Sequence, residues 1–61
     1  MWNKLEKIIS DKGITIYRLG KLTGLGVSVF YNLKSGRIKD VTFQTAIKIA
    51  DALNVSLDEL R

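Results

Sequence analysis

The chain has 61 residues, 46% hydrophobic and 8% aromatic, with a formal charge of +4. A chain of that length is expected to form one domain, residues 1–61, and to bury only roughly 60% of the surface its unfolded form exposes; the apolar share argues against disorder. With no Cys and no His, disulfides, Cys/His zinc sites and catalysis by a Cys or His nucleophile are excluded.

The apolar runs reach two or three residues, far short of the roughly 20 that cross a bilayer. The start, "MWNKLEKII", lacks the long apolar stretch of a signal peptide. The expectation is a soluble, cytoplasmic protein without membrane contact. Its charge is unevenly spread. Residues 12–39 hold Lys12, Arg18, Lys21, Lys34, Arg37 and Lys39 and no acid, whereas the acids cluster towards the C-terminal end. A basic middle of this kind is the electrostatic footprint expected for a polyanion partner.

In chain order, Trp2, Leu5, Ile8 and Ile9 recur at three- and four-residue spacing and predict a first helix, ended by Gly13. Thr15 is placed to cap a second helix, in which Ile16, Leu19 and either Leu22 or Thr23 form the apolar stripe. Gly24 supplies the turn. In "LGVSVFYNLKSG" a third helix is expected, with Gly26 at the cap, Phe30 and Leu33 inward, Val29 at their flank, and Gly36 as the stop. Val27, Ser28, Tyr31, Asn32 and Lys34 then fall on its outer side. Thr42 caps a fourth helix whose Phe43, Ala46, Ile47, Ala50 and Leu53 show the cleanest helical period in the chain. Asn54 stops it. "SLDE" has the pattern of a capping box, and a short fifth helix is expected to bury Leu57 and Leu60. No segment reads as a strand. The fold class is therefore all-α, a compact set of five short helices.

This ordered set resembles the lambda-repressor-like (Xre, Cro/CI-type) helix-turn-helix domains over roughly Leu5 to Leu60. The residues that carry the resemblance are Leu19-Gly20 with Gly24-Leu25, then Phe30 and Leu33, then Ser35-Gly36-Arg37, then "KIADALNVSLDEL". It implies a helix-turn-helix over about residues 15–35, with Gly20 where the second and third helices cross closely. Carried over position by position, it implies base-edge contacts from Val27, Ser28, Tyr31 and Asn32. Phosphate contacts are expected from Arg18, Lys21, Lys34, Arg37 and Lys39. Asn32 suits a bidentate pair with adenine, and Val27 an apolar contact with a thymine methyl. Two positions depart from the usual pattern. Ile16 stands where many members carry Gln, and Gly26-Val27 where many carry Ser or Thr followed by a polar residue.

Other chemistry finds little support. "GKLTGLG" matches neither nucleotide-loop spacing. The carboxylates Asp11, Asp40, Asp51, Asp58 and Glu59 are spread over caps and exposed faces. No enzyme activity, cofactor, metal site or small-molecule ligand is expected. The leading expectation is a repressor of phage or mobile-element type that binds duplex DNA sequence-specifically as a homodimer and occludes a promoter. The competing one is a protein-interaction module, of antitoxin or anti-regulator type, that uses the apolar outer face of the third helix.

Overall fold

The computed structural model describes residues 1–60. Four α-helices follow in order: α1 (Trp2–Lys12), α2 (Ile16–Thr23), α3 (Ser28–Ser35) and α4 (Phe43–Leu53). A 3₁₀ turn, Leu57–Leu60, closes the chain. No strand occurs among the described residues. Among the described residues no helix is long and apolar enough to cross a membrane.

The helix starts follow local chemistry. The Thr15 hydroxyl accepts from the Arg18 N–H at 3.2 Å, and the Thr42 hydroxyl accepts from the Thr45 N–H at 3.2 Å. Such caps are each worth about 1 kcal/mol. Asn54 ends α4 in the left-handed conformation (φ 57°); its N–H donates to the Asp51 carbonyl at 3.1 Å, and the Val55 N–H to the Ala50 carbonyl at 3.0 Å. Only half of the expected capping box forms. The Ser56 N–H donates to Glu59 Oε2 at 2.9 Å, but the Glu59 N–H bonds the Ser56 backbone carbonyl at 3.1 Å rather than its hydroxyl. That i to i+3 backbone bond makes the final element a 3₁₀ turn. It buries Leu60 and leaves Leu57 half-buried.

Each element gives at least one side chain to the core. Leu5 and Ile9 come from α1, Leu19 from α2, Phe30 and Leu33 from α3, and Ile49, Ala50 and Leu53 from α4, with Leu60 beneath them. Met1, Trp2, Ile14, Leu25, Val29, Ile38 and Val41 pack around this centre, half-buried. Truncating any one of the large side chains to Ala should cost about 2–5 kcal/mol. That is comparable to the roughly 3–5 kcal/mol a core of this size supplies.

The α4 stripe differs from its expected course. Ala46, Ala50 and Leu53 face inward as the period predicts, and Ile49 joins them, fully buried. Phe43 and Ile47, expected inside, are 65% and 37% exposed. The helix packs on α2 and on the 3₁₀ turn, and these two cover only part of its wide apolar arc. Phe43 and Ile47 lie on the flank left over. On α2 the open choice resolves in favour of Thr23, which is half-buried, while Leu22 is exposed.

The turn after α2 lies close against that helix. A Cβ at Gly20 would sit 2.8 Å from the carbonyl carbon and 2.9 Å from the oxygen of Gly26. Both atoms are backbone, so a methyl there must push the turn away. Overpacking of this kind costs about 1–3 kcal/mol, against up to ~1 kcal/mol returned by alanine's helix propensity. Gly20→Ala is therefore expected to lower the urea midpoint, with a net loss of up to about 2 kcal/mol and a fall in Tm of ~4–8 °C per kcal/mol. A midpoint that stays or rises would show that the turn yields freely.

Candidate nucleic-acid interface

The angle at which α3 leaves α2 is set by four residues. The Thr23 hydroxyl donates to the Leu19 carbonyl at 2.9 Å and accepts from the Leu25 N–H at 3.3 Å, so one side chain ties the end of α2 to the turn. Leu25 packs inward. The Gly26 N–H donates back to the Gly20 carbonyl at 3.3 Å. Gly24 and Gly26 hold φ of 72° and 78°, a region that side-chain-bearing residues enter only with strain.

That φ corrects one expectation. Gly26, with its left-handed φ, lies in the turn one residue before the helix cap. The cap position belongs to Val27, whose side chain offers no hydrogen bond. Its carbonyl accepts from the N–H groups of Phe30 and Tyr31, both at 3.1 Å. The amides of the first turn of α3 thus lack a side-chain acceptor, and they form a small field of donors that suits an anion.

Around α3, Phe30 and Leu33 face the core, and Val29 flanks them. Ser28, Tyr31, Lys34 and Ser35 are exposed, and Asn32 and Val27 are half-buried. None of the side chains of Ser28, Tyr31 and Asn32 makes a hydrogen bond with another described residue. For Asn32 this is decisive. Among the described residues no buried side-chain nitrogen or oxygen lacks a partner, so its unbonded amide reaches the surface. Its backbone carbonyl is used instead, accepting from the Ile38 N–H at 3.3 Å and from the Ser35 hydroxyl at 3.2 Å. Those bonds fold the following loop back against α3. In consequence Arg37 lies beside Tyr31, Asn32, Lys34 and Ser35 around one shallow concavity.

The remaining sequence-derived candidates sit elsewhere. Val27 and Ser28 are at the start of α3, outside that concavity. Arg18 and Lys21 lie on the exposed side of α2, and Lys39 is exposed on the loop before α4. One neighbour escaped the sequence reading. Tyr17 is 63% exposed, and the Lys21 ammonium sits 4.8 Å from the centre of its ring, a cation–π contact worth about 0.5–1 kcal/mol at an exposed site. The i, i+4 spacing of an aromatic and a lysine on the polar side of α2 was the available signal.

A family model described as the Cro/C1-type HTH DNA-binding domain matches residues 4–61. The chain belongs to this family. Comparison with curated proteins and with solved structures gives no match. As a Cro/C1-type domain the chain is a DNA-binding module for duplex DNA, and in this fold class the second helix of the motif, here α3, enters the major groove.

The outer residues of α3 should therefore be dispensable for folding. Tyr31→Ala and Asn32→Ala are each expected to change unfolding free energy by no more than about 0.5 kcal/mol. A loss above ~1.5 kcal/mol in chemical denaturation would mean that these side chains hold the fold together instead.

Proposed function

We propose that this protein is a sequence-specific transcriptional regulator, acting in the cytoplasm as a repressor of phage or mobile-element type that blocks a promoter by occupying it. The observation that carries the reading is the face of α3. Polar side chains with no hydrogen bond to another described residue stand at the surface beside Lys34 and Arg37, in a stretch of sequence that contains no carboxylate. Residues 1–61 act as one domain.

On this reading Ser28 and Asn32 bond base edges, Val27 and Tyr31 make apolar contact with them, and Arg18, Lys21, Lys34, Arg37 and Lys39 hold phosphates. The phosphate contacts fix position and carry no sequence information. With one amide and one hydroxyl reading bases, each good contact being worth about 1–3 kcal/mol, direct readout is modest. A single domain of this kind covers little DNA. Useful affinity then comes from a homodimer on two half-sites about 34–36 Å apart.

Selection from random duplexes should recover a preferred sequence. Five phosphate contacts per domain predict a log–log salt slope near −4.5, so affinity should fall roughly 500-fold between 50 and 200 mM salt. Replacing Lys34 and Arg37 together by Ala should weaken binding to every sequence and make the slope shallower by ~2. Asn32→Ala should relax the preference at one position and leave the slope alone. Negligible affinity for duplex DNA in dilute buffer would defeat the reading and favour a protein partner for the outer face of α3.

A further inference from the structure

Gly20 marks a border on α2 between a buried and an exposed flank. Successive helical residues step by about 100° around the axis. Leu19 therefore lies to one side of Gly20, in the core, whereas Tyr17 and Lys21 lie roughly 60° and 100° to the other side. The turn into α3 rests on α2 at Gly20, so both residues stand at the outer edge of that contact. Tyr17 is 63% exposed, and the Lys21 ammonium is 4.8 Å from the centre of its ring. Among the described residues the ring is the only partner of that ammonium, and the phenol hydroxyl bonds to none. The choice of partner matters. A carboxylate four residues before a lysine holds the ammonium and also cancels its charge. A ring restrains the ammonium and cancels nothing. It covers one side of a group with three N–H donors, and residues 12–39 supply no acid to occupy the other side.

We propose that Tyr17 is a positioning residue for the duplex: its ring holds the Lys21 ammonium, with its charge uncancelled and beside the turn into α3, for a backbone phosphate. The inference rests on the DNA-binding reading above and adds to it a residue that itself neutralises no phosphate. The gain is one of preparation. A free lysine stem loses its rotamer freedom when it is fixed at an interface, a loss equivalent to roughly 2–12-fold in affinity. A ring contact at an exposed site, equivalent to about 2–5-fold, restricts that stem before the duplex arrives. Tyr17 therefore changes how tightly one phosphate is held and leaves the number of phosphates neutralised as it was.

The test is a double-mutant cycle on a mixed-sequence duplex of about 20 base pairs at ~50 mM salt, since a phosphate contact is indifferent to sequence. Tyr17→Leu removes the ring from an exposed site and puts in a better helix former, so the variant is expected to fold. It should weaken binding by roughly 2–5-fold per bound domain and leave the salt slope unchanged. Lys21→Ala should make the slope shallower by ~0.9. Adding Tyr17→Leu to Lys21→Ala should cost nothing further, because the ring acts only through the ammonium. Tyr17→Phe keeps the ring and should bind within about 1.5-fold of the wild type. A Tyr17→Leu variant that binds as tightly as the wild type overturns the inference, and so does one that binds more tightly, which would show ring and phosphate competing for the ammonium. An equal loss with and without Lys21, or a loss in Tyr17→Phe as large as in Tyr17→Leu, overturns it as well, since Tyr17 would then touch the duplex itself. In each of these cases the wild type still binds and the regulator reading stands. Negligible duplex binding by the wild type defeats that reading and the inference together.

Discussion

The geometry of the domain depends on the absence of one methyl group. Gly20 lets the peptide between Gly26 and Val27 lie directly on α2, and the Gly26 N–H returns a hydrogen bond to the Gly20 carbonyl. The turn is held from both sides, by that contact and by the Thr23 hydroxyl. Because the chain between α2 and α3 is only four residues long, fixing it fixes where α3 projects. The core then needs only two large side chains of α3, Phe30 and Leu33, to anchor the helix. Its opposite face stays open.

The division of labour within α3 follows from the helix period. Phe30 and Leu33 point into the molecule, and Ser28, Tyr31 and Lys34 point away. Asn32 is intermediate and does two jobs with different atoms. Its carbonyl fastens the loop that carries Arg37, while its side chain remains unbonded. Placing a cation beside the outer face of α3 is thus a backbone effect, independent of the side-chain amide of Asn32. The uncapped start of α3 adds a third contribution, a set of backbone donors.

Much of this was legible in the residues alone. Thr15, Thr42 and Asn54 announced their caps because capping chemistry is local. Phe30 and Leu33 were identifiable as core because only one face of a short helix can be apolar enough. The small-residue requirement at Gly20 was visible as well, though not that it serves a backbone contact. The failures share a cause. Gly26 looks like a weak cap, and its left-handed φ becomes apparent only once the turn has to close on α2. Phe43 and Ile47 belong to an apolar arc wider than the neighbours available to cover it, and periodicity measures the arc, not the neighbours. Tyr17 lies outside the apolar stripe of α2, and only its i, i+4 spacing from Lys21 marks it in the sequence. Of the interface, residue type and charge pointed to the α3 set, whereas the grouping of Arg37 with Tyr31 and Asn32 depends on a loop whose path the sequence does not declare.

The side chains of Ser28, Tyr31 and Asn32 form no hydrogen bond with another described residue, which bears on how such a molecule diversifies. Side chains without internal partners can be exchanged as a set while the seat beneath them, Gly20, Thr23, Leu25, Phe30 and Leu33, is kept. On the proposed function, recognition and architecture are then nearly separate alphabets, one on the outer face of α3 and the other on its inner face, α2 and the turn between them. New binding preferences become reachable by mutation through intermediates that all remain folded, even in a chain with little stability to spare.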